Sequence, residues 1–139
     1  MSVIVSDTGF ADEDWVHGFQ PMDSLPANNA HPALAVDVPS DADPETLGRR
    51  LTDIDLIRVD FPTFADGRGF TIARRLRLMG FDGRLRAKGH VLADQYAMAR
   101  RSGFDEVEID EAMASRQPED QWRDRADWRN HDYQSRLRG

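Results

Sequence analysis

The chain contains no cysteine among its 139 residues. That absence excludes disulfide bonds, a thiol nucleophile and any iron–sulfur cluster or haem held by cysteine. If the protein takes part in redox chemistry, its own side chains do not carry the electrons, and the sequence leaves the cofactor unknown. Every compartment tolerates a chain without cysteine, and the cytoplasm is our expectation.

Long apolar runs and positive charge are also lacking. No stretch approaches the roughly 18 apolar residues of a membrane-spanning helix. The opening MSVIVSDTGF has no basic segment followed by a long apolar one, so we expect no secretory signal. The net charge of -7 speaks against nucleic acid, because phosphate binding depends on a basic surface. Neither a membrane nor a nucleic acid is therefore an expected partner.

The length favours one domain with a real core, and the sequence divides into three parts. Residues 1–32 form an irregular lead-in, in which SVIV could be a short strand and QPMDSLPANNAHP is a loop or linker. Residues 33–116 form a βα domain. The tail, residues 117–139, has Trp122 and Trp128, which we expect to pack on the domain; contact with a second subunit or another protein is the alternative.

From residue 33 onward, strand-like and helix-like segments alternate. The strand-like segments are 33–39, 54–62, 83–89 and 105–110, and the helix-like segments are 41–51, 69–80 and 90–103. Such alternation predicts an α/β fold built of βα units, with a mainly parallel sheet of about four strands.

Within the predicted strands, apolar and charged residues alternate. In the second strand, for example, Ile57, Val59 and Phe61 alternate with Arg58 and Asp60, so one face is apolar and the other charged. A sheet covered by helices on both faces would be apolar on both. We therefore predict an open or partial-barrel-like sheet with helices on one face and the charged face uncovered.

The stretch DGRGFTIARRLR places Gly67 and Gly69 around Arg68, after the second predicted strand. Open α/β sheets usually bind ligands at this end, and the loop backbone, the start of the next helix and the Arg68 guanidinium suit an anion. Asp66 would order the loop. The structural alternative is a tight turn capped by Asp66 that only feeds the helix.

Two basic residues on the third predicted strand, Arg86 and Lys88, complete the candidate anion site; they could equally just pair with the acidic fourth strand. Candidate catalytic residues are His90, Asp94 and Asp110, which follow the third and fourth strands. The histidines lack metal-ligand spacing, so no metal site is predicted, and the dinucleotide fingerprint and P-loop are both missing.

Two segments, FPTFADGRGFTIARRLR and GRLRAKGHVLADQYAMARRSGFDEVEID, resemble a bacterial family, the domain of unknown function 934 family. The shared motifs are Phe61-Pro62, the loop 66–69, the strand 85–87, the pair Asp94-Gln95 and the turn 103–105. The likeness covers roughly residues 33–110, and the terminal DYQ is also similar. Because genes of this family usually lie beside assimilatory sulfite reductase, the resemblance implies a role in sulfite reduction, often described as that of an oxidoreductase.

The chain departs from the family pattern at three positions. Arg84, His90 and Ser102 stand where the family commonly has an acidic residue, an aspartate and a cysteine. The missing cysteine excludes a thiol redox role for this chain.

Three functions follow as expectations. The leading one is an accessory protein of assimilatory sulfite reduction, which binds sulfite reductase or a small sulfur oxyanion through its charged sheet face. The second is an oxidoreductase-related enzyme acting at the mouth formed by the 66–69 loop and residues 86–94. The third is a structural module that forms a homodimer through the tail aromatics.

Overall fold

Seven strands form one open sheet in the computed structural model, which describes residues 2–26 and 33–128. The strands are β1 (Ser2–Ser6), β2 (Gly9–Asp12), β3 (Gln20–Pro21), β4 (Ala35–Val38), β5 (Leu56–Phe61), β6 (Arg84–Gly89) and β7 (Glu106–Asp110). Their order is β2-β1-β7-β6-β5-β4-β3. Strands β3 to β7 run parallel, and β1 is antiparallel to both β7 and β2.

Helical segments connect and follow the parallel strands. The α-helices are α1 (Arg68–Leu78), α2 (Tyr96–Ser102), α3 (Glu111–Arg116) and α4 (Glu119–Arg123), and 3-10 segments cover Pro44–Asp53 and Ala93–Gln95. Each parallel strand from β4 to β7 lies beside its predecessor, always one step in the same direction. Because such crossovers are right-handed, all of the connecting segments fall on one face of the sheet.

The apolar face carries the core. A row of small apolar side chains runs across five strands: Val38, Val59, Ala87, Val107 and Val5. Each is at most 1 % exposed. The helices pack on this row, and the α/β class predicted from the alternating pattern is confirmed.

The lead-in adds three strands to the four that the sequence predicts. The predicted strand SVIV is β1, which pairs with β7 through Val3 and Ile109. Trp122 in the tail is 1 % exposed and packs its ring edge-on to Tyr96. Tyr133 and the DYQ motif lie outside the described residues.

The charged face is not uncovered, which corrects the expectation. Residues 13–25, here called the strap, start from β2 at one edge of the sheet, cross the charged face and include β3 at the other edge. In a flat sheet the two edge strands, β2 and β3, would lie six strand spacings apart, which is about 29 Å. A fully extended chain of eight residue steps, from Asp12 to Gln20, spans about the same distance. The strap nevertheless bends at His17, so the sheet must curve towards it.

Candidate functional site

Arg86 lies at the centre of the charged face and is fully buried. Its guanidinium donates to Glu106 at 2.5 Å, to Glu108 at 2.8 Å and to the strap residue Glu13 at 2.5 and 2.9 Å. Burial disfavours the charge, but the bonds to Glu13 and the charges of Glu106 and Glu108 outweigh it and raise the pKa of Arg86. Every donor nitrogen is engaged by a carboxylate, so Arg86 is the centre of an ion-pair network.

The flanking arginines are engaged in the same way. Arg58 donates to Asp37 at 2.6 and 2.9 Å and to Glu108 at 3.1 Å. Its guanidinium also lies 3.5 Å from the centre of the Phe19 ring on the strap, a cation–π contact. Arg84 donates to Glu106 at 2.8 Å and to Asp14 at 2.6 Å.

Residues 66–69, the glycine loop, form a turn whose charged side chains bond to each other. Arg68 donates to Asp66 at 2.7 and 3.0 Å and to the Ser40 hydroxyl at 3.0 Å. The hydrogen bonds that Arg68 donates to Asp66 hold the pKa of the Asp66 carboxyl well below its usual range. A Cβ at Gly69 would lie 2.4 Å from the Phe61 ring, so this glycine permits close packing of α1 on β5. Asp66 also accepts from the Arg68 backbone amide at 3.1 Å, so its carboxylate joins both ends of the turn.

A cleft of about 790 Å³ opens at the carboxyl ends of β4, β5 and β6. Val38, Asp60 and Lys88 line it from the three strands, and the strap supplies Phe19 and Met22 as an opposite wall. This volume lies within the usual range of ligand pockets, about 300–1,000 Å³. The position is the one at which open parallel sheets bind ligands.

Lys88 differs from the other basic residues around this cleft. It is the only lysine in the chain; the other 17 of the 18 basic residues are arginines. It is half-buried, and the structure gives its ammonium no hydrogen bond or ion pair with residues 2–26 or 33–128. The neighbouring carboxylates of Asp37 and Glu108 already accept from Arg58 and Arg86.

Lys88 also lines a smaller cavity of about 170 Å³ with His90 and Asp110. The ring of His90 contacts Phe64 edge-on, and its Nδ1 lies 3.1 Å from the Phe61 carbonyl oxygen. Asp110 caps α3 by accepting from the Met113 amide at 2.7 Å. The structure thus brings together three of the candidate residues.

Asp94 does not line that cavity, and its carboxylate accepts from Arg125 at 2.7 Å.

Within the described ranges, no group of three or more histidine, aspartate or glutamate side chains could hold a metal ion. The helices of the same part of the chain are too short or too polar to cross a membrane.

The cleft residues that the strap contributes could not be predicted from the sequence. Phe19, Met22 and Asp23 lie in a segment without strand or helix periodicity, and only the tertiary fold brings them to the carboxyl ends of the strands. Asp60 could have been found: the alternating pattern already places it on the charged face, at the same end as Lys88.

Together these features define an α/β protein with helices on one face of a parallel sheet and a ligand-sized cleft at the strand ends. The chain belongs to the family described as bacterial protein of unknown function (DUF934), whose model matches residues 35–139. This match confirms the family resemblance; the strap lies before the matched range. No curated protein and no solved structure matches the chain.

Proposed function

We propose that this protein is an accessory protein of assimilatory sulfite reduction that binds a small organic molecule in the cleft at the ends of β4, β5 and β6. The resemblance supplies the biological setting. The cleft itself, lined by apolar side chains and by a Lys88 ammonium that has no partner among residues 2–26 and 33–128, is the observation that carries the binding function.

The cleft is a better ligand site than the arginines of the charged face. Arg58, Arg84 and Arg86 each donate to two or more carboxylates. An oxyanion would have to displace those partners, and breaking a buried ion pair costs about 3–5 kcal/mol. Binding at Lys88 displaces nothing among the described residues.

Native mass spectrometry tests the binding function. The probe is the low-molecular-weight fraction of an extract of the producing cells, and we expect the protein to retain an adduct from it. Ala42→Trp, which fills the cleft, and Lys88→Met, which removes the ammonium, should lose the adduct. Leu78→Trp is the matched control, because Leu78 is 82 % exposed. Retention of the adduct by Ala42→Trp would place the ligand elsewhere and refute the proposal.

Binding to sulfite reductase is the second half of the proposal, and it rests on the resemblance. We expect the protein to co-elute with the reductase at low salt and less at physiological salt, because an acidic protein of net charge -7 docks through screened charges. Absence of a complex at both salt concentrations would remove the accessory role and leave the small-molecule site.

An enzyme acting at the smaller cavity is the second candidate function. The observation that favours it is the shared lining of Lys88, His90 and Asp110. An enzymatic role predicts that His90→Asn lowers sulfide production in an assay with the reductase while co-elution is unchanged. For a binding protein, His90→Asn should change neither.

A further inference from the structure

Lys88 and Asp60 form a pair of opposite charges at one end of the cleft. They occupy facing positions on neighbouring strands, β6 and β5. Both line the cleft, and within residues 2–26 and 33–128 neither makes a hydrogen bond or an ion pair, including with the other. A positive and a negative group therefore stand side by side, each open to an incoming partner.

The charges around this pair are already neutralised. Asp37 accepts from Arg58, and Asp43 accepts from Arg75 at 3.1 Å and caps the Glu45 amide at 3.0 Å. These contacts leave Lys88, Asp60 and, beyond β3, Asp23 as the charged groups of the cleft that have no ion-pair partner among the described residues.

The charge balance of the whole cleft argues against a ligand of one sign. Of the carboxylates that line it, Asp37 and Asp43 are paired with Arg58 and Arg75, which leaves Asp23 and Asp60 with the Lys88 ammonium. A small oxyanion at Lys88 would meet this excess of carboxylates. A simple cation at Asp60 would leave the Lys88 ammonium uncompensated in a half-buried site.

The wall opposite the pair is apolar. It is formed by Phe19 and Met22 of the strap with Val38, Pro39 and Ala42. Apolar walls with a few placed polar groups are what small-molecule sites usually present, the polar groups fixing the orientation. The ligand should therefore combine both charges at one end with an apolar body.

We propose that the cleft binds an α-amino acid with an apolar side chain. The ligand carboxylate accepts from Lys88, the ligand ammonium donates to Asp60, and the side chain lies along the wall of Phe19 and Met22. An α-amino acid carries both charges on one carbon, which suits two side chains on adjacent strands about 4.8 Å apart. This inference rests on the proposed function of the cleft and names its ligand class.

The single lysine gives a direct measurement. Reductive methylation with carbon-13 formaldehyde labels Lys88 and the chain's terminal amine, and it keeps the positive charge. The NMR signal of the Lys88 methyl groups is then followed while L-leucine, L-methionine or L-phenylalanine is added to the full chain. We expect a saturable shift of that signal with at least one of these probes, and none of the terminal amine.

Two analogues of leucine separate the charges. 4-Methylpentanoate lacks the ammonium, and 3-methylbutylamine lacks the carboxylate. We expect each to bind at least about tenfold more weakly than the parent amino acid, which corresponds to about 1.4 kcal/mol. Asp60→Asn should weaken binding of the amino acid and should not weaken binding of 4-methylpentanoate, because it removes a negative charge beside the bound carboxylate. Asp82→Asn, at an exposed position, should change neither.

The outcomes distinguish this inference from the proposed function. If 4-methylpentanoate binds as tightly as leucine, the site recognises an anion only and the amino-acid ligand is refuted, while the cleft remains a binding site. If none of the three amino acids shifts the Lys88 signal but the cell-extract fraction does, the ligand class is refuted and the binding function stands. If neither shifts it, both are refuted.

Discussion

Arg86 combines full burial with a charge that three carboxylates share. Arg86→Met would fill most of the space but would leave Glu106 and Glu108 buried without that partner. Removing one member of a buried ion pair costs about 3–5 kcal/mol. We expect the free energy of unfolding, measured by urea denaturation, to fall by that amount.

Arg68→Ala is the matched comparison for Arg86→Met. Arg68 is 59 % exposed and pairs with Asp66 across a short loop, and exposed ion pairs contribute little to stability because solvent screens them. We expect a small loss of stability. A larger loss from Arg68→Ala than from Arg86→Met would contradict the assignment of Arg86 as the structural ion-pair centre.

Ser102 is 2 % exposed, and within the described ranges its hydroxyl makes no hydrogen bond. An unsatisfied buried hydroxyl costs about 1–3 kcal/mol, whereas cysteine behaves as a small apolar residue when buried. We expect Ser102→Cys to raise the free energy of unfolding by about 1 kcal/mol in reducing buffer. Ser115→Cys, at an exposed helical position, is the control, and an equal gain there would refute the explanation.

The sequence predicts the structural role of some single residues but not of others. Asp66 as a loop-ordering residue follows from its place before two glycines, a local pattern. The state of Arg86 does not follow, because alternation gives the face on which a side chain lies but not what covers that face. Charge at a strand position predicts exposure by default, and here the Glu13 carboxylate of a distant segment helps to bury Arg86.

The predicted strands match the structure because their signal is local and periodic. Segments 33–39, 54–62, 83–89 and 105–110 contain β4, β5, β6 and β7. The predicted helix 41–51 is instead a 3-10 segment, and it is interrupted where Gly48 adopts a positive φ of 43°. β3 has two residues, too few to show any period, so the strap could not be predicted.

The strap is held to the sheet by a small number of charged contacts, which makes its attachment measurable. Glu13→Gln removes the carboxylate that accepts two bonds from Arg86. Hydrogen bonds to charged groups contribute about 1.5–3 kcal/mol. We expect hydrogen exchange in residues 13–25 to accelerate about tenfold or more, with β5 and β6 unchanged.

Asp12→Asn is the control for the strap, because Asp12 is exposed at the neighbouring position on β2. It should leave exchange of the strap as it is. If Glu13→Gln accelerated exchange in β5 and β6 to the same extent as in the strap, the strap would unfold only with the whole domain, and its separate attachment would be refuted.

The protein as a whole should be sensitive to acid. Burial raises the pKa values of Glu13 and Asp7, but hydrogen bonds from Arg86 to Glu13 and from Tyr96 and Arg100 to Asp7 outweigh it and lower both. The Arg84 hydrogen bond lowers the pKa of Asp14 despite some burial. A lowered folded pKa stabilises the protein above the unfolded pKa, and that stabilisation is lost as the pH falls through the folded pKa.

Urea denaturation at stepwise lower pH checks this expectation. The free energy of unfolding should begin to fall near pH 4.5, the ordinary value for Glu13, and should continue to fall below pH 3.8, the ordinary value for Asp7 and Asp14. The double variant Glu13→Gln, Asp14→Asn should show a shallower decline. An equally steep decline in that variant would mean that other carboxylates cause the acid sensitivity.

The order of the strands has a consequence for synthesis on the ribosome. Ser2 of β1 donates to Glu108 of β7, 106 residues further along the chain, and β1 lies between β7 and β2 in the finished sheet. Because β1 is made before β7, it must wait, with Ile4 and Val5 exposed, until the residues between the two strands have been made. At about 5–20 residues per second, that interval lasts several seconds to some twenty seconds. The nascent hairpin of β1 and β2 is thus the segment of this protein with the greatest opportunity to meet a chaperone.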